Sequence, residues 1–192
     1  MDEIILIGGG GHCESVIDVI EQESRFKIAG IIDKSEFMGS KIFDYKVIAS
    51  DDDLEKLAQK YRYAIVTVGQ IKSPSLRIKL FDRAERIGFI MPSIISPRAY
   101  VSKHAYIGAG SVVMHDVMVN ANARIGKNCI INTKSLIEHG SEVGDNCHIS
   151  TAVCINGGVI IESSCFIGSN ATLRDHIVVK SNSFIRAGSL VK

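Results

Sequence analysis

The residues with the clearest capacity for chemistry are histidines. The chain has six: His12, His104, His115, His139, His148 and His176. The surroundings of two of them are the most informative: Asn132-Thr133 leads to Ile137-Glu138-His139, and Cys147-His148-Ile149 follows. An imidazole that titrates near neutrality can take a proton from an attacking amine or hydroxyl. Spacing alone leaves His139 open between a general base and an exposed turn histidine. A zinc-dependent hydratase would need three histidines converging on one ion. His139 and His148 are nine apart with no third in the required pattern, so no metal is expected.

A second candidate lies at the start of the chain. The apolar run Glu3–Ile7 is followed by Gly8, Gly9, Gly10, Gly11 and His12, and then by a helical pattern. Strand, glycine loop and helix leave backbone N–H groups free to meet an anionic phosphate. The dinucleotide fingerprint is absent: counted from Gly8 its third glycine falls on Cys13, and from Gly9 on Glu14. NAD is therefore discounted in favour of a mononucleotide or nucleotide-sugar, the alternative being a turn that only packs helix on strand. Asp33 ends the next apolar run, where a carboxylate could accept from a ribose or base, or simply be a solvated turn acid.

What positions His139 and His148 is a repeat. From Ile95 to Val191 every sixth residue is Ile, Val or Leu, 17 anchors in all. Such a period marks a parallel β-helix in which three units close an 18-residue triangular coil. Each anchor faces inward and stacks on those 18 residues away, as in the column Ile95, Val113, Ile131, Ile149, Ile167, Ile185. The position four after each anchor is mostly small (Ala99, Ser111, Cys129, Ser135, Ser141), as a tight interior requires. At about 4.8 Å per coil the prism is about 25 Å tall. The histidines from His104 onward fall off the anchors and should point outward or sit at turns. Met114, Met118, Ile130, Val153 and Val159 should add outward apolar area that favours self-association.

The first half reads as an α/β unit. Strands are expected at 3–7, 27–32 and 63–68, a short strand within 39–50, and a last one at 89–91. Helices are expected at 13–23, 51–61 and 75–86. Together they form a four- or five-stranded parallel sheet of Rossmann-like type over residues 1–92, with the β-helix over 93–192. Pro92 and Pro97 bracket the link.

Composition narrows the function classes. With 22 basic and 21 acidic residues and no basic stripe, nucleic acid is an unexpected partner. No apolar run approaches membrane-spanning length. The N-terminus carries two acids and no basic region, so it reads as a strand and not a signal peptide. Five cysteines without metal-type spacing suit reduced thiols in a cytoplasmic protein. Cys129, Cys147 and Cys165, 18 apart, should stack as buried core residues.

The glycine loop with its histidine, the Asp33 strand end and the run from Asn132 to Gly158 carry a resemblance across essentially the whole chain. It resembles the hexapeptide-repeat bacterial sugar acetyltransferases grouped as sialic acid O-acetyltransferases and UDP-4-amino-sugar N-acetyltransferases. That resemblance implies a left-handed β-helix, a homotrimer, and acetyl-CoA lying in the groove between neighbouring prisms. It implies His139 as general base, Asn132 beside the acceptor group, and His148 in contact with acetyl-CoA. Gly157 would turn its N–H toward the thioester carbonyl, and Ala187 would line the CoA groove. Gly10, Gly11, His12, Asp33 and Gly69 would form the nucleotide-sugar site.

Two departures qualify it. Many relatives follow the histidine with Asp or Glu, whereas this chain has Gly140. Glu138, on the other side, would point to the opposite face if the segment were extended, so it is kept as a weak candidate and Glu142 becomes an alternative orienting carboxylate. Relatives also continue past Gly188–Val191 into a proline-containing tail, where this chain stops at Lys192; a truncated piece or weaker acetyl-CoA binding would each account for that. The expected function is acetyl-CoA-dependent N-acetylation of a nucleotide-linked 4-amino sugar in glycan biosynthesis. Alternatives are O-acetylation of sialic acid or a related nonulosonic acid, and a non-catalytic trimeric sugar-nucleotide-binding scaffold.

Overall fold

The computed structural model describes all 192 residues. They divide into two compact units: Met1–Gly69 with Ser75–Pro92, and Gln70–Pro74 with Ser93–Lys192. The short segment after Gly69 thus belongs with the second unit, a detail no local pattern signals.

In the first unit, β1 (Asp2–Ile7), β2 (Phe26–Ile32), β3 (Lys41–Ile42), β4 (Tyr45–Ala49) and β5 (Tyr63–Val66) form one sheet in the order β3-β4-β2-β1-β5. β1 is central and buries Ile4, Ile5, Leu6 and Ile7 completely, as a strand covered on both faces must. Helix α1 (Gly11–Glu23) buries Val16, Ile17, Val19 and Ile20. After the single turn of α2 (Leu54–Leu57), α3 (Ser75–Ile87) packs Leu80, Phe81 and Ala84 onto the core that contains Ile5, Ile7 and Val66.

Three expectations need correction. The sheet is mixed, because β3 and β4 form an antiparallel hairpin within what reads as a loop with one strand. The helix expected over 51–61 is a 3₁₀ turn at Asp51–Asp53 and one α-turn, closed by a Ser50–Asp53 capping box; the chain then turns to bury Tyr61. The strand expected at 89–91 is one bridge between Tyr63 and Ile90, with Phe89 and Met91 packed in the core.

The second unit holds seventeen two-residue strands, from β6 (Ile94–Ile95) to β22 (Leu190–Val191). They stack as three parallel sheets of six, six and five strands. The strands ending in Ile95, Val113, Ile131, Ile149, Ile167 and Ile185 form a first face. Those ending in Val101, Val119, Ile137, Ile155, Leu173 and Val191 form a second, and the rest a third. Between faces the chain turns through a left-handed residue at every sixth position, including Asn122, Asn128, Asn146, Asn170 and Asn182. Asparagine tolerates that conformation better than most side chains, so its recurrence is itself a sequence mark of the corners. Gly140, at φ +67°, occupies one of these corner positions.

The outward apolar surface differs from expectation. Met114, Ile130, Val153 and Val159 are buried, and of that set only Met118 is exposed. Val153 and Val159 stand four after an anchor and so face the interior, like the small residues at equivalent positions. The exposed row on the second face is instead Tyr100, Met118 and Leu190, with Leu136, Cys154 and Thr172 half-buried between them. All five cysteines are free thiols, and Cys129, Cys147 and Cys165 are buried. The neighbouring Cys165 sulfur and burial both push the Cys147 thiol up.

Candidate active site

Strand β13 (Leu136–Ile137) ends on the second face, and the chain rounds a corner through Glu138, His139 and Gly140. Because the strand has already ended, Glu138 does not obey strand alternation. Its carboxylate turns back onto the next residue: Oε2 lies 3.2 Å from His139 Nδ1 and accepts the His139 backbone N–H at 3.2 Å. The expectation that Glu138 points away, leaving Glu142 to orient the imidazole, is overturned. Glu142 lies on the third face and is exposed.

The hydrogen bonds from the His139 backbone and ring, with one from Asn120, hold the Glu138 carboxyl below the usual carboxylate range. The carboxylate therefore stays ionised at neutral and mildly acidic pH. An ionised oxygen at Nδ1 favours the tautomer protonated there and leaves Nε2 as the proton acceptor. The His139 side chain is 75% exposed, so this acceptor is open to a reactant.

One coil further along, Gly157 lies directly under the ring. A Cβ on Gly157 would stand 3.0 Å from His139 Cε1 and 3.1 Å from Nε2, so the imidazole occupies the space a side chain would take. The Gly157 N–H donates to Asp175 Oδ1 at 3.2 Å, a carboxylate one coil further still. Sequence reasoning missed Asp175, although its spacing of 18 from Gly157 was there to be read. Cys154, half-buried on the adjacent strand, is a poor nucleophile because burial, with Glu138 and Asp175 nearby, raises its thiol.

The other residues expected at this site fall elsewhere. Asn132 is at the preceding corner, between the first and second faces; its Oδ1 accepts the Thr133 N–H at 2.8 Å. Ala187 is exposed on that same corner in the last coil. His148 is on the first face, in the outward row with Phe166, but only 8% exposed. Its Nδ1 meets the Gln70 carbonyl, its ring stands edge-on to Phe166, and Gln70 also donates to the Asn146 carbonyl at 2.9 Å. Gln70 thus covers the ring.

In the first unit the named residues gather at the C-terminal edge of the sheet, after β1, β2 and β5. Gly8, at φ +109°, packs so closely on Val68 that an added Cβ would lie 2.4 Å from its Cγ2. Asp33 Oδ2 accepts the Gly9 N–H at 2.7 Å and Oδ1 accepts that of Lys34 at 2.7 Å, so this carboxylate first of all clamps the glycine loop. Gly10 caps α1 and Gly11 begins it, with open space beside both. Gly69 lies against His12, 3.5 Å from where its Cβ would be to that of the histidine. The loop, the helix start, Asp33 and Gly69 thus share the edge at which α/β sheets bind ligands.

Three family models match the chain. Residues 3–84 match the PglD N-terminal domain, 86–149 a GlmU-like C-terminal hexapeptide, and 158–192 the hexapeptide repeat of succinyl-transferase. No curated protein matches in a sequence search. Among solved structures, PerB from Caulobacter crescentus, in complex with CoA and GDP-perosamine, is 29% identical with a TM-score of 0.91, covering 100% of this chain and 90% of that one. The acetyltransferase domain of PglB from Neisseria gonorrhoeae FA1090, in complex with acetyl coenzyme A, is 27% identical with a TM-score of 0.89, covering 99% and 90%. WeeI from Acinetobacter baumannii AYE, at 20% identity and a TM-score of 0.87 over 100% and 92%, has the same fold. The first unit is similar to the PglD N-terminal domain and the coils to hexapeptide-repeat transferases, the arrangement also present in PerB and the PglB acetyltransferase domain.

Proposed function

We propose that this chain is an acetyl-CoA-dependent N-acetyltransferase for a nucleotide-linked 4-amino sugar, with His139 as general base. The observation that carries the reading is the Glu138–His139 pair: a carboxylate on Nδ1, an exposed Nε2, and a glycine floor beneath the ring. Nε2 takes the proton of the acceptor amine as its nitrogen attacks the thioester carbonyl carbon. The C–S bond then breaks and the proton passes to the departing thiolate. No acyl-enzyme is required when both reactants are held in one cleft, and the raised thiol of Cys154 argues against one there. Asn132 and Ala187 are assigned to acceptor and CoA respectively.

For Gly157 to donate to the oxyanion, the thioester oxygen must displace Asp175 from that N–H. His148 is left out of the proposed cofactor contacts because of its cover by Gln70. Gly10, Gly11, His12, Asp33 and Gly69 are assigned to the nucleotide-sugar. The exposed row Tyr100, Met118 and Leu190 supports self-association, and a homotrimer is the proposed state; a monomer in sedimentation at micromolar concentration would contradict it.

The deciding experiment measures thiol release from acetyl-CoA with a UDP-4-amino sugar, GDP-perosamine, sialic acid, or no acceptor. Release dependent on an amino sugar is expected. Release with sialic acid alone would move the assignment to O-acetylation, and no release from a folded oligomer would favour a binding scaffold. Activity should survive exhaustive chelation.

Gly157→Ala tests the floor beneath the base. The new methyl must tilt the imidazole, and a misplaced catalytic group costs on the order of tenfold to a hundredfold in kcat. Wild-type kcat in that variant would mean the ring is not used where it lies.

A further inference from the structure

Glu138 can hold the imidazole only if something holds Glu138. The corner leaves its side chain 27% exposed and in need of a hydrogen-bond anchor beyond the His139 N–H. What it offers is Asn120, at the equivalent corner position one coil earlier. Asn120 Nδ2 donates to Glu138 Oε2 at 2.9 Å, the same oxygen that faces His139 Nδ1. The orientation of the carboxamide is itself determined, because Asn120 Oδ1 accepts the Ala121 N–H at 2.8 Å and so turns Nδ2 toward the carboxylate. Asn120 is half-buried and sits on backbone that pairs in register with the coil of Glu138: its own N–H donates to the Ile137 carbonyl at 2.9 Å.

We propose that Asn120 is a positioning residue of the acetyltransferase site. It anchors Glu138 Oε2 so that this oxygen stays on His139 Nδ1 and Nε2 keeps the acceptor role. The coil stacking makes the arrangement possible, since equivalent corner residues 18 apart lie one strand spacing, about 4.8 Å, from each other. Residue 120 stacks on residue 138 across one coil step, which brings the Asn120 amide to the Glu138 carboxylate. That is why an asparagine 18 residues upstream of Glu138 can act on the base. The inference rests on the reading of His139 as general base.

Its test uses the full chain and two substitutions. Asn120→Ala removes the donor. Asn120→Asp keeps the shape and the acceptor for Ala121 but sets a carboxylate against Glu138. Both should lower kcat by about tenfold to a hundredfold, the loss of a hydrogen bond to a charged group, with KM for either substrate within about twofold. In a Glu138→Ala background neither should cost anything more. A space-filling role predicts wild-type kcat for Asn120→Asp, and independent action predicts additive losses; either result overturns the proposal.

A readout that does not depend on turnover accompanies these. Two-bond ¹H–¹⁵N spectra of the histidine rings should report His139 protonated at Nδ1 in the wild type and a tautomer mixture in Asn120→Asp. An unchanged tautomer would overturn the proposal even in a chain without turnover. The two ideas fail differently: undiminished acetyl transfer by His139→Ala sinks the general-base reading, whereas a dead His139→Ala beside fully active Asn120 variants sinks only the role of Asn120.

Discussion

His139→Ala is expected to lower acetyl transfer by about a hundredfold to ten thousandfold, the usual contribution of a positioned general base. The protein should otherwise be undisturbed. The side chain is 75% exposed, its ring covers a glycine without filling a core position, and the coil is closed by the anchors Ile131, Ile137 and Val143, all buried. Melting temperature and affinity for both substrates should therefore stay near wild type while kcat collapses. A pure binding scaffold has no turnover to lose, so equal and negligible thiol release from both proteins would favour that alternative. Glu138→Gln should have a smaller effect in the same direction, because the amide can still meet Nδ1 but no longer as an ionised acceptor that selects one tautomer.

The β-helix was legible in the sequence because each of its rules is local. A six-residue period fixes strand and turn, an 18-residue stack fixes register, and every anchor from Ile95 to Val191 lies in a strand. Errors arose where a residue left the period. Val153 and Val159 looked like surface additions, yet the position four after an anchor faces inward whatever occupies it. Strand alternation puts Glu138 on the face opposite His139, but the strand ends one residue earlier. The same stacking that gave the anchors would have revealed Asn120, Asp175 and the glycine floor, since each lies 18 from a residue already singled out.

The α/β unit was less legible because its decisive contacts are non-local. Nothing near Asp33 in the chain says that its carboxylate holds the Gly9 N–H, 24 residues away. Nor does the period of α3 say that one of its charges lies inside.

That inward charge is Arg77. Its place on α3 reads as one polar residue among several, yet it is 1% exposed, among the most buried side chains in the protein. Its guanidinium donates to the Val66 and Val68 carbonyls at 2.8 Å each, where β5 ends and the chain turns toward Gly69. Val66 is the last residue of β5 and Val68 lies beyond it, and buried carbonyls there need donors. Arg77→Met, which keeps the length of the stem, should cost about 3 kcal/mol, as expected for buried acceptors deprived of a charged donor. For a unit of this size such a loss lowers the melting temperature of the α/β unit by at least about 10 °C. Arg77→Lys should fall between, since an ammonium lacks the rigid fork that spans two carbonyls. The loop that Arg77 pins carries Gly69, which packs on His12 of the proposed nucleotide-sugar site. Below its melting temperature Arg77→Met should therefore raise KM for the nucleotide-sugar and leave KM for acetyl-CoA unchanged. Melting within about 2 °C of wild type would mean that the two carbonyls find other donors and that Arg77 is not what holds the end of β5.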